Sequence, residues 1–331
     1  MRGDLRKQPH LRGKSINLAL SERGLHALRK LKLDQQVIEQ LAIPMYGRLI
    51  HDPDGRCRAI PYGQNGQCIY SVSRRKLNEL LLDYAERQSN VRLHFDHKLV
   101  NASFDRGECI FAVSSDEMEA EKNADNRLSN GEDEWQRPQS LRSHRSQVIF
   151  GADGAHSAIR ANAMRQERID FHQQYIDHGY LELCIGPKEP TNTWENGETA
   201  PIDFAMAPNY LHIWPRGRFM MIALPHADRS FTLTLFMPFA MFSAIQNESQ
   251  LRSFFEKHFQ DAIDLIGWQD LQQTYFNTRP YTLISVSCRP MHYRGRCVLI
   301  GDAAHAMVPF FGQGMNCVSK ILHLKDESSC G

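Results

Sequence analysis

Two stretches of the sequence combine glycines with a carboxylate in patterns that suit ligand binding. The first, Gly151-Ala152-Asp153-Gly154-Ala155-His156-Ser157-Ala158-Ile159-Arg160, follows the short run Val148–Phe150. Gly151 and Gly154 permit a tight turn and a close backbone approach to a ligand. Asp153 can fix that turn or accept hydrogen bonds from a bound hydroxyl. Ser157 and Arg160 fall at i and i+3, on one face of the helix expected next. The second stretch, RGRCVLIGDAAHAMVPFFGQGMN, runs from Arg294 to Asn316. Its apolar strand ends at Gly301-Asp302, and a carboxylate at the carboxyl end of a parallel strand can hold a ribose or ribityl hydroxyl. Beyond Pro309, Gly312-Gln313-Gly314 leads into a helix expected to start at Met315. Leading N–H groups and the helix dipole favour negative charge there.

A third feature is Arg48, a charge inside the otherwise apolar run Ile43–Ile50, where it is costly unless paired. Other chemistries find less support. The eight cysteines include no C-x-x-C pair, which argues against a structural zinc site and for reduced thiols. His94 and His97 flank a strand-like run, but their spacing puts them on opposite faces of a strand, so no metal site is expected. A net charge of +1 implies no broad attraction to nucleic acid or anionic membrane. No apolar run is long enough to cross a bilayer, and the polar, basic start Met1–Arg12 is unlike a secretory signal.

The elements that must position these residues follow from pattern. At 331 residues, 42% of them hydrophobic, the chain is long enough for roughly two globular domains. Ser15–Ala19 reads as extended, and Ser21 as the cap of a helix through Leu33. Ile43–Ile50, the turn Asp52–Gly55 and Arg58–Tyr62 read as a hairpin. Ser73 caps an amphipathic helix with Leu77, Leu80, Leu81, Tyr84 and Ala85 on one face. Strands are expected at Val91–Phe95, Leu99–Phe104 and Cys109–Ser114. The polar stretch 115–147 reads as a flexible surface insertion. Closely spaced strands at Tyr180–Ile185, Leu211–Trp214, Phe219–Leu224 and Phe231–Phe236 suggest an antiparallel sheet, and Ser249–Ile266 a helix. The expected fold is mixed α/β, a doubly wound nucleotide-binding domain interrupted by a β-rich one. The expected boundaries are 1–165 for the first domain (with 43–72 contributing to the second), 166–290 for the β-rich domain and 291–316 for the return. A tail, 317–331, stands apart.

The two motifs together resemble the downstream fingerprints of class A flavoprotein aromatic hydroxylases. Within that class, RGKSINLAL (Arg12–Leu20), IPMYGRLIH (Ile43–His51), AIPY (Ala59–Tyr62), YSVSRRKLN (Tyr70–Asn78), NYLHIWPR (Asn209–Arg216), FMMIALP (Phe219–Pro225) and LFMPF (Leu235–Phe239) resemble the kynurenine 3-monooxygenases. The resemblance runs from about Arg12 to Asn316, outside 115–147. It implies a p-hydroxybenzoate hydroxylase-like fold, FAD as cofactor, and NADPH and dioxygen as co-substrates. The implied reaction is 3-hydroxylation of L-kynurenine, in tryptophan catabolism. It implies that Arg48 and Tyr62 hold the substrate carboxylate, an arrangement that suits a planar guanidinium and a phenol. Ala19, Arg74, Leu99, Asp153, Asp302, Met315 and Asn316 would meet FAD, and Val308–Phe311 would wall the reacting ring. It nominates no acid–base side chain.

The sequence also departs from that family. The G-x-G-x-x-G turn and the following acidic residue that hold the FAD pyrophosphate and adenosine ribose have no counterpart before Ser15. The match ends after Asn316, where the family continues to a membrane anchor at the mitochondrial outer membrane. The chain therefore reads as an incomplete copy, expected to be cytosolic without its anchor. Two alternatives stay open: an inactive product that keeps part of the site, and another flavin-dependent hydroxylase or epoxidase.

Overall fold

The computed structural model of the chain describes residues 17–114, 139–188 and 203–319. In chain order its strands are β1 (Leu18–Leu20), β2 (Ala42–Met45), β3 (Gly47–His51), β4 (Cys57–Pro61), β5 (Ile69–Val72) and β6 (His97–Ser103). Then come β7 (Glu108–Ser114), β8 (Gln139–Arg145), β9 (Ile149–Gly151), β10 (Asp170–Ile185) and β11 (Tyr210–Arg216). The last are β12 (Phe219–Pro225), β13 (Phe231–Pro238), β14 (Tyr281–Arg289), β15 (His292–Tyr293) and β16 (Cys297–Leu299). The chain forms two compact units. The described part of one lies in Leu82–Gln174 and Ser285–Met307; the other comprises the described residues of Lys14–Leu81, Tyr175–Ile284 and Val308–Gly331.

The second unit is built on a sheet ordered β14-β10-β13-β12-β11-β3-β4. Its pairs are antiparallel along β10, β13, β12 and β11, as their close spacing implies, while β11 and β3 run parallel. Inward positions alternate along the strands: Leu181, Leu183 and Ile185 on β10, and Leu233 and Leu235 on β13, are almost fully buried. Leu251, Phe255 and Leu271 on helices, with Phe259 between two of them, complete this core. Burying each such side chain contributes about 1.5–3 kcal/mol. The expected helix Ser249–Ile266 is two helices, Glu248–His258 and Gln260–Ile266. Phe259 between them leaves helical geometry at φ −144° and ψ 40°. A further helix, Trp268–Asn277, follows Gly267 at φ 85°.

A small sheet, β1-β5-β2, also belongs to this unit. The buried Asn17 donates to Ser71 Oγ at 3.0 Å and to the Pro225 carbonyl at 2.9 Å, and Ser71 Oγ donates to the same carbonyl. These bonds tie β1 and β5 to the end of β12. The described residues 17–81 therefore fall in this unit. The expected hairpin is present as β3–β4, with Gly47 opposite Pro61 and His51 opposite Cys57.

The first unit holds the parallel pair β9 and β16, with β15 at the edge, and a separate sheet β6-β7-β8. The helix Ala158–Gln166 packs on β6, burying Ile159 and Ala163 against Ala102, Phe104 and Leu299. Two sequence expectations fail here. Residues Val91–Phe95 form no strand. The stretch 115–147 is not wholly an insertion, since its end forms β8, paired along all of β7; residues 115–138 lie outside the described residues. β-strand propensity is read on a half-buried surface, and β8 (QSLRSHR) is exposed and polar, so pairing with β7 outweighs its composition.

A polar chain crosses the second unit's core. His212 Nε2–H donates to the Ala207 carbonyl at 2.8 Å, leaving Nδ1 to accept from His51 Nε2 at 2.9 Å. His51 Nδ1 lies 2.8 Å from Asp261 Oδ2, which also accepts from Trp214 Nε1–H at 2.8 Å. Burial pushes the His212 pKa down to about 4. Between its ordinary value near 6.5 and about 4, the unfolded chain takes up a proton that the folded one refuses. The stability this neutral ring contributes is whole above pH 6.5 and is lost as pH falls toward 4, by about 2 kcal/mol at pH 5. Denaturant unfolding at pH 7.5 and pH 5 should register that loss, and His212→Asn should remove most of it. An unchanged pH slope in the variant would contradict the assignment.

Candidate functional site

In the first unit, Asp153 lies in the turn after β9. Its Oδ1 accepts from Ser157 Oγ at 2.5 Å and its Oδ2 from Ile159 N–H at 3.0 Å. Of the two roles open to Asp153 in the sequence, the geometry displays the first: the carboxylate fixes the turn. Ser157 caps the helix Ala158–Gln166 by accepting from Arg160 N–H. The Arg160 side chain, 4% exposed, donates to the carbonyls of Ala303 at 2.7 Å and Ala155 at 2.6 Å, and its guanidinium lies over Phe171. Burial pulls its pKa down. A buried charge is tolerated when carbonyls and a ring face answer it. Arg160 thereby links the two motifs, a bond between residues 143 positions apart.

Asp302 follows β16 and opens the short helix Asp302–His305. Ala303 and Ala304 behind it are fully buried, whereas Asp302 is exposed and makes no hydrogen bond or ion pair among the described residues. Its carboxylate is thus presented outward, free to accept from a ligand hydroxyl. Leu99 lies on β6 opposite Phe111 and packs on the unit's core.

In the second unit, Asn316 is fully buried in the helical residues 314–319. Its Nδ2 donates to the carbonyls of Ala19 at 2.8 Å and Gly312 at 3.2 Å, and its Oδ1 accepts from Ser21 N–H at 3.0 Å. Ser21 occupies the expected N-cap position, but its hydroxyl makes no cap bond; the side chain of Asn316 satisfies the orphan N–H instead. Close approach requires small residues nearby. A Cβ on Gly24 would stand 2.7 Å from Asn316 Oδ1 and collide with Leu20. Gly312 adopts the left-handed conformation at φ +59°, facing Ala19. Gly314 looks into open space, with nothing within 4 Å of the position a Cβ would take. Met315 is half-buried beside it. Arg74 is exposed at the start of the helix Arg74–Glu86; its charge partly offsets the upward push of burial on the Glu182 carboxyl.

Arg48 and Tyr62 sit on and just beyond the β3–β4 hairpin. The Arg48 side chain is exposed, so it does not bear the burial cost its apolar neighbours suggested. Its guanidinium carbon lies 5.2 Å from the centre of the Tyr62 ring. The Tyr62 N–H donates to the Tyr46 carbonyl, and Asn209 holds the same corner by donating to the Pro44 carbonyl. The Tyr62 hydroxyl oxygen is buried without a well-formed hydrogen bond, the Arg48 guanidinium being the polar group that faces it. Burial pushes its pKa up, and Arg48 partly offsets this. Such an orphan is uncommon and calls for an explanation. Among the apolar neighbours, Phe310 meets Phe236 edge-on at 5.1 Å, and Phe311 is 81% exposed.

The sequence did not suggest Arg160 as a cross-motif link, the Asn17–Ser71 ties or the side-chain role of Asn316. Each depends on partners far away in the chain. Asn316→Ala leaves one N–H and two carbonyls without their partner. It is expected to lower stability by about 2–4 kcal/mol in urea unfolding; a change under about 0.5 kcal/mol would show that the amide is dispensable.

The FAD binding domain family matches residues 8–319. Kynurenine 3-monooxygenase of Anopheles gambiae is 46% identical over 318 residues, covering 95% of this chain and 58% of that protein. Those of Drosophila melanogaster and Sus scrofa are 45% and 43% identical, over 95% of this chain and 60% and 59% of theirs. The chain thus spans about three fifths of the length of these relatives. Among solved structures, Pseudomonas aeruginosa PqsL in complex with 2-aminobenzoylacetate aligns with a TM-score of 0.66 at 14% identity, over 96% of this chain and 78% of that one. A tetrameric 2-methyl-3-hydroxypyridine-5-carboxylic acid oxygenase aligns at 0.63 and 17%, over 95% and 71%. At such identities the likeness establishes the fold alone, that of the p-hydroxybenzoate hydroxylase-like flavoproteins. The chain belongs to the FAD binding domain family, and the relatives it matches there at 38–46% identity are named kynurenine 3-monooxygenase.

Proposed function

We propose that this chain is the FAD- and substrate-binding part of a monooxygenase that consumes NADPH and dioxygen to hydroxylate L-kynurenine at the 3-position. The observation that carries the reading is the Arg48–Tyr62 pair, a buried phenol oxygen without a well-formed hydrogen bond, faced by the exposed Arg48 guanidinium. A substrate carboxylate would accept from both, through charge-assisted bonds worth about 1.5–3 kcal/mol each. It would also remove the cost of the orphan hydroxyl.

The residues present fit FAD in separate places. In the unit that holds β16, the exposed, unpaired Asp302 suits a ribityl hydroxyl. In the unit that holds 308–319, the open position beside Gly314 would let a flat ring approach backbone N–H groups up to Asn316, and the exposed Arg74 could face an anionic group. Oxygen activation is the chemistry the cofactor supplies when bound. The chain's residues hold the carboxylate, orient the aromatic ring and keep water out, the last through apolar side chains of Val308–Phe311. Leu99 and Asp153, which also shape the fold, would meet the cofactor from the unit that holds β16. Among the described residues no helix is long and apolar enough to cross a membrane.

The test is to purify the chain with added FAD, record its visible spectrum, and measure kynurenine-stimulated NADPH oxidation with product analysis. A flavin spectrum and 3-hydroxykynurenine are expected. Tyr62→Phe should raise KM for kynurenine roughly tenfold or more while leaving thermal stability unchanged or slightly raised, because the hydroxyl has no well-formed bond to lose in the fold. A colourless protein, or one that makes no hydroxylated product, would favour the inactive reading. Equal KM for Tyr62→Phe would remove Tyr62 from the substrate site.

A further inference from the structure

Outside the motifs, three histidines of the first unit meet in space. His94 lies in the loop before β6, His97 begins β6, and His144 lies on β8. Sequence spacing put His94 and His97 on opposite faces of a strand, but residues 91–96 are not a strand. Asp96 takes the left-handed conformation at φ 54°, turning the chain so that the two rings come within 5.3 Å. The β7–β8 pairing delivers His144 to within 5.0 Å of the His94 ring and 5.8 Å of the His97 ring. One nitrogen from each ring lies within 4.8 Å of the other two.

The central ring is set up as a ligand. His97 Nδ1 lies 2.6 Å from the Phe95 carbonyl oxygen, which can only accept, so Nδ1 carries the proton. Nε2 then presents its lone pair. It is buried and has no hydrogen-bond partner. A backbone carbonyl that fixes the tautomer of a histidine is the usual outer support of a metal ligand. Phe111 packs beside the cluster, 6.0 Å from His97 and edge-on to His144 at 5.7 Å, giving the site an apolar side.

We propose that His94, His97 and His144 form a three-nitrogen site for a divalent transition metal, with zinc as the natural occupant. The donor set decides the class of ion. Hard cations such as Ca²⁺ and Mg²⁺ take oxygen ligands, and no carboxylate joins this cluster among the described residues. Imidazole suits borderline ions, and three neutral imidazoles leave a fourth tetrahedral position for water. Zinc–nitrogen bonds of about 2.0–2.1 Å place ligand nitrogens about 3.4 Å apart. Closing the present cluster takes ring rotations of about 1 Å, which the exposed His94 and His144 can make. A bound ion would staple β8, the strand that follows 115–138, to β6 and the 91–96 loop. It would do so independently of the flavin chemistry.

The test uses the full chain, stripped of metal with a chelator, and Zn²⁺ as the probe. Titration against a chromophoric zinc chelator should reveal one site per chain that the double variant His94→Gln, His144→Gln lacks, with zinc affinity falling at least tenfold. Co²⁺ should give visible absorption in the native chain that the variant does not reproduce. Zn²⁺ should raise the melting temperature of the native chain, reversibly with EDTA, and leave the variant's unmoved. Both substituted positions are exposed, so the variant should fold, and circular dichroism checks this. Equal zinc uptake by the two proteins would assign binding to other histidines or the free cysteines and overturn the proposal, as would no uptake by either.

Discussion

The carboxamide of Asn316 is the interaction on which the candidate ring-binding surface depends. One buried side chain satisfies a helix N–H at Ser21 and two loop carbonyls, at Ala19 and Gly312. Buried backbone groups left unpaired cost more than a typical bond gains, so the amide sets where the strand β1, the helix after it and the segment 308–319 can lie. The glycines follow from this. Gly24 lets the helix come close enough, Gly312 makes the left-handed turn, and Gly314 keeps the resulting surface open. A residue whose backbone family resemblance assigned to the cofactor thus proves to have a structural side chain.

The other motif pair follows the same logic with a charge in place of an amide. Arg160 gives up water for two carbonyls and the face of Phe171, which offsets much of its desolvation. In doing so it positions Ala303, and with it the neighbouring Asp302, whose own carboxylate is left without a partner. Asp153 is consumed by the turn and Asp302 is spared by it. Two aspartates in similar Gly-Asp settings therefore have opposite availability, and hydrogen-bond geometry alone distinguishes them.

Unsatisfied polar atoms point to the remaining sites. The phenol oxygen of Tyr62 is buried without a well-formed hydrogen bond, and the Nε2 of His97 is buried without a partner. Each stands beside groups of complementary purpose, a guanidinium in one case and two further imidazoles in the other. An orphan of this kind costs stability in the folded chain, and a ligand that satisfies it recovers the loss.

Short-range pattern was enough to read much of this protein. Alternation along Phe219–Leu224 and Phe231–Phe236, the Asp52–Gly55 turn and the strand-to-glycine motifs around Asp153 and Asp302 were legible because the forces that create them act over a few residues. The sequence alone determined the two fingerprints and the mixed α/β class, and family resemblance pointed to Arg48 and Tyr62. Tertiary structure decided the rest. It recruited β8 from a polar stretch, split the helix at Phe259 and drew the described residues 17–81 into the second unit. It also chose Asn316 over Ser21 as the helix cap and gathered His94, His97 and His144. The reason is common to all of these: the deciding partners lie tens to hundreds of residues away, and no local periodicity records which distant carbonyl or ring a side chain will meet.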